Sequence, residues 1–168
     1  MVFLDFQLWL VLDLINNINM ITKKEFKHTY QPDGISCGPT CLKMISDYYT
    51  DNELSIHDLK QVCKTDNIKG TTLEDMIRGM NYINIPYQLP TLKTNEEAIR
   101  YLNNSLNSDG KLILRTLIHG IKHWIIVTEI VDTDYIVYDP WLGKSQYNKE
   151  QIIDIWKPRD FHCIRITK

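Results

Sequence analysis

Hydrophobic residues recur every three or four positions through the first two thirds of the chain, which is the spacing of helices that bury one face. This pattern predicts helices over residues 40–49, 55–63, 71–80 and 94–106. After residue 110 it gives way to β-branched and aromatic runs separated by turns, which predict strands. The runs cover residues 112–114, 123–131, 135–138 and 161–166, with a short helix over 148–156 between the last two. We expect an α+β fold whose helical N-terminal half packs on one antiparallel sheet.

The first 22 residues differ from the rest, and we expect them to form an apolar helix or extension, with residues 23–168 forming one domain. Residues 2–15 are strongly apolar, but two aspartates interrupt them and the uninterrupted length is below the ~20 residues of a membrane span. We therefore expect no membrane span. Three interpretations stay open: a helix packed on the domain, a surface through which residues 2–15 dock on a partner or membrane, and a natural start at Met20.

Composition narrows the class of protein. The chain has 168 residues, 43% of them hydrophobic, which is enough for one domain with a core. Its net charge is −2 and its charges are evenly spread, so no basic stripe indicates nucleic acid as a partner. Four cysteines do not make a disulfide framework in a chain of this length, so we expect a reducing, cytoplasmic location. No phosphate-binding glycine motif is present, and we expect no cofactor.

The stretch from Gln31 to Cys41 combines a turn, a helix start and a cysteine. Asp33-Gly34 is a typical turn pair, and Pro39 is favoured in the first turn of a helix. The helix should therefore begin near Gly38. A thiol at that position lies at the positive end of the helix dipole, beside unpaired backbone N–H groups that favour thiolate. We predict that Cys37 is a nucleophile.

A histidine and an aspartate follow at positions that the predicted sheet brings together. The hairpin at residues 132–134 pairs the strand that carries His123 with the strand that ends at Asp139. In this hypothesis His123 is the base and Asp139 orients its ring. The Gln31 side-chain amide and the Cys37 N–H face the developing oxyanion. His28 is rejected as the base because it is too close in sequence to the nucleophile loop to lie on the opposite wall of a cleft. The other histidines are assigned to a helix surface, a turn and a structural position: His57, His119 and His162.

This set of residues resembles the papain-like cysteine peptidases, most closely the bacteriocin-processing family that removes double-glycine leaders. The matching features are Gln31, the run from Cys37 to Ile45, His123-Trp124 before a strand, and Asp139-Pro140 before Gly143. The resemblance covers residues 30–167 and implies a papain-like fold for the domain over 23–168, a peptide or protein substrate and the same four catalytic roles. It also implies that the helix from Thr71 and the segment 83–90 flank a narrow, mostly apolar cleft.

Alternatives remain at this stage. The same scaffold can support an acyltransferase or amidase, because an amine can resolve the acyl-enzyme in place of water. A catalytically silent peptide-binding module would use the cleft without the thiol. Cys37 and Cys41 lie one helical turn apart and could be metal ligands, but no matching pair of histidines accompanies them, so we expect no metal site.

Overall fold

The computed structural model describes residues 24–167, so the expectations for residues 1–22, including docking through 2–15, lie outside the described residues. The helices are α1 (Cys37–Tyr49), α2 (Ile56–Cys63), α3 (Leu73–Ile83), α4 (Asn95–Asn107) and α5 (Lys149–Trp156). The strands are β1 (Tyr87–Gln88), β2 (Lys111–Ile118), β3 (Ile121–Val131), β4 (Asp134–Asp139), β5 (Gly143–Tyr147) and β6 (Cys163–Ile166). No helix within 24–167 is long and apolar enough to cross a membrane.

All six strands belong to one sheet in the order β1-β6-β2-β3-β4-β5, and every neighbouring pair is antiparallel. Two of these strands were not predicted. The strand β5 is polar and carries no hydrophobic run, and β1 is only two residues long. The strand β3 begins two residues earlier than predicted, at Ile121, so His123 lies inside the strand rather than at its start.

Local capping explains where several helices begin. Ser55 and Asp58 form a reciprocal capping box at α2, and Thr72 and Asp75 form another at α3. The predicted end of the third helix near Met80 is too early. Helix α3 continues to Ile83 and ends where Asn84 adopts a left-handed conformation with φ of 56°.

Helices cover both faces of the sheet. Helices α1 to α3 pack on the face that presents Trp124 and Ile126, whereas α4 and α5 pack on the face that presents Ile125 and Val127. Successive residues of a strand point to opposite faces, so β3 reads as a nearly continuous apolar run. The helical half is therefore split across the sheet, because its last helix, α4, lies opposite the first three.

Candidate active site

The loop before α1 is held by the carboxylate of Asp33. Its Oδ1 accepts hydrogen bonds from the Ile35 N–H at 3.0 Å and the Ser36 hydroxyl at 2.7 Å, and its Oδ2 pairs with Lys60 Nζ at 2.7 Å. Burial alone would raise the pKa of Asp33, but the bonds from Lys60, Ser36 and Ile35 lower it to about 2. The loop is thus fixed immediately before Cys37.

Cys37 is the first residue of α1 and only 6% of its surface is exposed. The next residue, Gly38, lies so close to the loop before α3 that a Cβ there would come within 2.8 Å of both Thr71 Cβ and Met76 Sδ. On the sheet side, Trp124 Nε1 donates to the Thr71 carbonyl at 2.8 Å. Thr71 therefore touches the direct neighbour of Cys37 and the direct neighbour of His123.

His123 and Asp139 form a buried pair. His123 Nε2 donates to Asp139 Oδ1 at 2.8 Å, and the same oxygen accepts the N–H groups of Trp141 at 2.7 Å and Leu142 at 3.1 Å. Burial would raise the pKa of Asp139, but these hydrogen bonds and the nearby imidazole hold it below its usual range. Three donors on one oxygen fix both the carboxylate and the imidazole that it contacts.

The Cys37 side chain lies close enough to the His123 ring to raise the pKa of the ring, and both residues line one groove. Because Nε2 is engaged by Asp139, Nδ1 is the ring nitrogen available to the thiol. Burial would lower the pKa of His123, but the hydrogen bond to Asp139, the nearby Cys37 side chain and the charges of both partners raise it to about 9. A protonated imidazole beside the sulfur is therefore favoured at neutral pH, and it is the partner that stabilises a thiolate.

The backbone of Gln31 lies next to the residue that follows Asp139, because the Gln31 N–H donates to the Pro140 carbonyl at 2.8 Å. Its side-chain Nε2 donates to the Asp33 carbonyl at 2.5 Å, inside its own loop. Its Oε1 is buried and has no hydrogen-bond partner among residues 24–167. The oxyanion role of Gln31 stays a prediction, and the second N–H of Nε2 is the group that could fulfil it.

His28 is the contact that sequence reasoning missed. Its Nε2 donates to the backbone carbonyl of Asp139 at 2.7 Å and so helps to hold the Asp139 backbone in place. A side chain that recognises a backbone carbonyl leaves no sequence signal. His57 and His119 lie where they were predicted, since His57 bonds Gln61 on α2 and His119 occupies the β2–β3 turn. His162 was predicted inside the last strand but precedes it, because β6 begins at Cys163. Among residues 24–167 no three His, Cys, Asp or Glu side chains are arranged to hold a metal ion.

A groove of about 520 Å³, here called the Cys37 groove, contains both the thiol and His123. One wall is the loop 68–72 and the other is the start of β3. Three cations line it and no carboxylate does: Lys69, Arg115 and Lys122. These three cations were not part of the expectation of a mostly apolar cleft. The expectation that the segment 83–90 flanks the groove is wrong, because none of its residues lines the groove and β1 lies three strands away from β3 in the sheet.

Together, the fold and the site define a thiol hydrolase built on a helix and a sheet. The chain belongs to the peptidase C39 family, whose sequence profile matches residues 25–159, and it is a cysteine peptidase. The papain-like α+β fold is confirmed by the solved structures that it resembles.

Among curated proteins, the chain is similar to the pediocin PA-1 transport/processing ATP-binding protein PedD of Pediococcus acidilactici, with 30% identity over 144 residues. The match covers 78% of this chain but spans only 18% of that relative's length. Among structures, it resembles the peptidase domain of Streptococcus ComA, a bifunctional ABC transporter (TM-score 0.70, 18% identity, 86% of this chain and 100% of that one). It also resembles a double-glycine motif protease from an AMS/PCAT transporter, solved with the leader peptide (TM-score 0.67, 14% identity, 87% and 96%).

We expect Cys37 to be the thiol that iodoacetamide alkylates fastest near neutral pH. All four cysteines are free, but burial raises the pKa of Cys63 and Cys163 to about 12 and that of Cys41 well above its ordinary value. A thiol with that pKa is ionised in only about one molecule in 10⁵ at pH 7. Peptide mapping after brief labelling measures the order, and faster labelling of Cys41 or Cys63 would contradict the assignment of the nucleophile.

Proposed function

We propose that this chain hydrolyses peptide bonds through a Cys37 thiolate, with His123 as acid and base and Asp139 orienting the imidazole. The observation that supports it is the single imidazole that hydrogen-bonds a buried carboxylate and lines one groove together with the Cys37 thiol. Each group alone has a structural explanation, but a ring bridging a helix N-terminal thiol and a carboxylate is the arrangement of an activated nucleophile.

In the first step the Cys37 sulfur attacks the carbonyl carbon of the scissile peptide. The carbonyl oxygen becomes an oxyanion at the N-terminus of α1, where the Cys37 N–H and the free N–H of Gln31 Nε2 would stabilise it. Removing one such donor costs about 10²–10³ in rate in other hydrolases, so Gln31 should matter without being indispensable.

In the second step His123 delivers its proton from Nδ1 to the leaving amine, and a thioester remains on Cys37. The neutral imidazole then takes a proton from water, hydroxide attacks the thioester, and the sulfur leaves as thiolate. Asp139 accepts the Nε2–H throughout, which keeps the ring oriented and stabilises its charged form.

The substrate we propose is a leader peptide that ends in two glycines. The proposal is supported by the names of the relatives, one a transport/processing protein and one a double-glycine motif protease solved with a leader peptide. The Cys37 groove adds a constraint of its own, because its three cations favour acidic residues on the part of the peptide that it holds.

A peptide library digested by the wild-type chain tests this proposal. We expect cleavage after Gly-Gly to exceed cleavage after bulky residues by about tenfold or more, since a buried thiol admits small side chains best. Mass spectrometry of the products gives the cleavage site. Cleavage mainly after bulky residues would contradict the proposed leader-peptide substrate. Transfer of the acyl group to an added amine without any hydrolysis would identify an acyltransferase.

A further inference from the structure

A second pocket adjoins the catalytic pair and shares part of its lining with the Cys37 groove: Gly34, Ile121, Lys122 and His123. It has a volume of about 280 Å³, and we call it the Trp141 pocket. Its walls are mostly apolar, and three of its large side chains are strongly exposed: Ile121 (67%), Trp141 (59%) and Leu142 (61%). His123 and Asp139 also line this pocket. Large apolar side chains held open to solvent beside catalytic groups indicate a binding surface.

The two pockets correspond to the two halves of a substrate. Cys37 lines the first groove and does not line the Trp141 pocket, whereas His123 lines both. The acyl half of the substrate becomes bonded to Cys37 and must stay with the sulfur. The amine half must receive its proton from His123 and so leaves on the side where His123 is present and Cys37 is not.

We propose that the Trp141 pocket binds the side chain of the residue immediately after the scissile bond, and that it selects an aromatic or branched aliphatic residue there. This inference rests on the proposed peptide hydrolysis. The residue in question carries the nitrogen that His123 protonates, so its side chain lies next to a pocket that His123 itself lines. The pocket is somewhat smaller than the ~300 Å³ lower limit of drug-sized ligand sites, which suits one side chain.

The walls of the pocket are fixed by the catalytic carboxylate. The N–H groups of Trp141 and Leu142 both donate to Asp139 Oδ1, the oxygen that also accepts from His123. The nucleophile loop reaches the same wall, because a Cβ on Gly34 would lie 4.0 Å from the Trp141 ring. The pocket is thus preformed, and little ordering is needed before a side chain enters it.

The test compares kcat/KM for peptides that are identical up to Gly-Gly and differ only in the next residue: Trp, Leu, Gly, Glu or Lys. We expect Trp and Leu to exceed Gly and Glu by about 10-fold to 100-fold, the range for burying one large apolar side chain. Leu142→Lys should reduce that preference and raise the relative rate for Glu. Leu89→Lys is the matched control, because Leu89 is exposed just after β1 at the far edge of the sheet and should leave the ranking unchanged.

A second measurement isolates the amine side. An activated ester of a Gly-Gly peptide forms the thioester on Cys37, and added amino acid amides compete with water for it. The amine nitrogen bonds the carbonyl carbon, the C–S bond breaks, and the amine proton passes to His123, which restores the thiolate–imidazolium pair. Leucine amide should capture more acyl-enzyme than glycine amide in the wild type, and Leu142→Lys should diminish that difference.

The outcomes separate the inference from the proposed function. Cleavage of all five peptides at similar kcat/KM, with equal capture by the two amides, would contradict the proposed role of the Trp141 pocket in substrate selection. The proposal of peptide hydrolysis would be unaffected. Failure to cleave any of the peptides, in a chain that folds and alkylates at Cys37, would overturn the proposed function and this inference with it.

Discussion

Replacing Cys37 with alanine is expected to lower kcat for peptide hydrolysis by about 10⁴-fold or more, because no other group in the site can carry the acyl intermediate. The substitution removes only a sulfur atom at the N-terminus of α1, so the fold should be retained. Initial rates on a Gly-Gly peptide measure the loss, and circular dichroism verifies the fold.

Cys163→Ala is the matched control for this experiment. Cys163 is as buried as Cys37 but lies on β6, in the core on the other face of the sheet. It should keep kcat within about tenfold of the wild type while losing some stability through the small cavity. A Cys37→Ala chain that still turns over at the wild-type rate would show that the nucleophile lies elsewhere.

The second large effect is expected at His123. His123→Ala should lower kcat/KM by about 10⁴-fold or more, because it removes the proton donor together with the partner of the thiolate. Asp139→Asn should cost at least about tenfold less. Three N–H donors converge on Oδ1, so the amide oxygen is held at that position and can still accept from His123 Nε2. Rates at one pH, in variants with intact circular dichroism spectra, give the comparison.

Asp139→Asn should also change the dependence of kcat/KM on pH. Since His123 has a pKa of about 9, the fraction of imidazolium falls as the pH rises through 9, and kcat/KM of the wild type should fall with it. In Asp139→Asn the carboxylate charge that helps raise this pKa is gone, so the alkaline limb should move to lower pH. An unchanged limb would mean that the Asp139 charge does not raise this pKa, and a loss equal to that of His123→Ala would mean that Asp139 does more than orient and charge-stabilise the ring.

The parts of the site that were predictable depend on local chemistry. A turn pair, a proline and an apolar helical face mark the start of α1, and they place Cys37 at its N-terminus whatever the rest of the chain does. Likewise, a tight hairpin between two apolar runs places His123 near Asp139, because strands joined by a short turn are paired. Both inferences depend only on residues that are close to one another in the sequence.

The parts that were missed depend on distant partners. His28 meets the Asp139 carbonyl across 111 residues, and nothing in either local sequence records that contact. The cations of the Cys37 groove come from separate segments, so their convergence appears only once the sheet is formed. Helix α4 has an ordinary amphipathic pattern, which shows that it buries one face but does not show which side of the sheet receives it.

Thr71 takes no part in the proposed chemistry, yet it sets the separation of the groups that do. Gly38, beside the nucleophile, and Trp124, beside the base, both meet it. In evolutionary terms the positions of the Cys37 thiol and the His123 imidazole cannot change independently, because any change in the size of the Thr71 side chain shifts the neighbours of both. Lineages of such enzymes would therefore diversify at the other walls of the Cys37 groove more easily than at this junction.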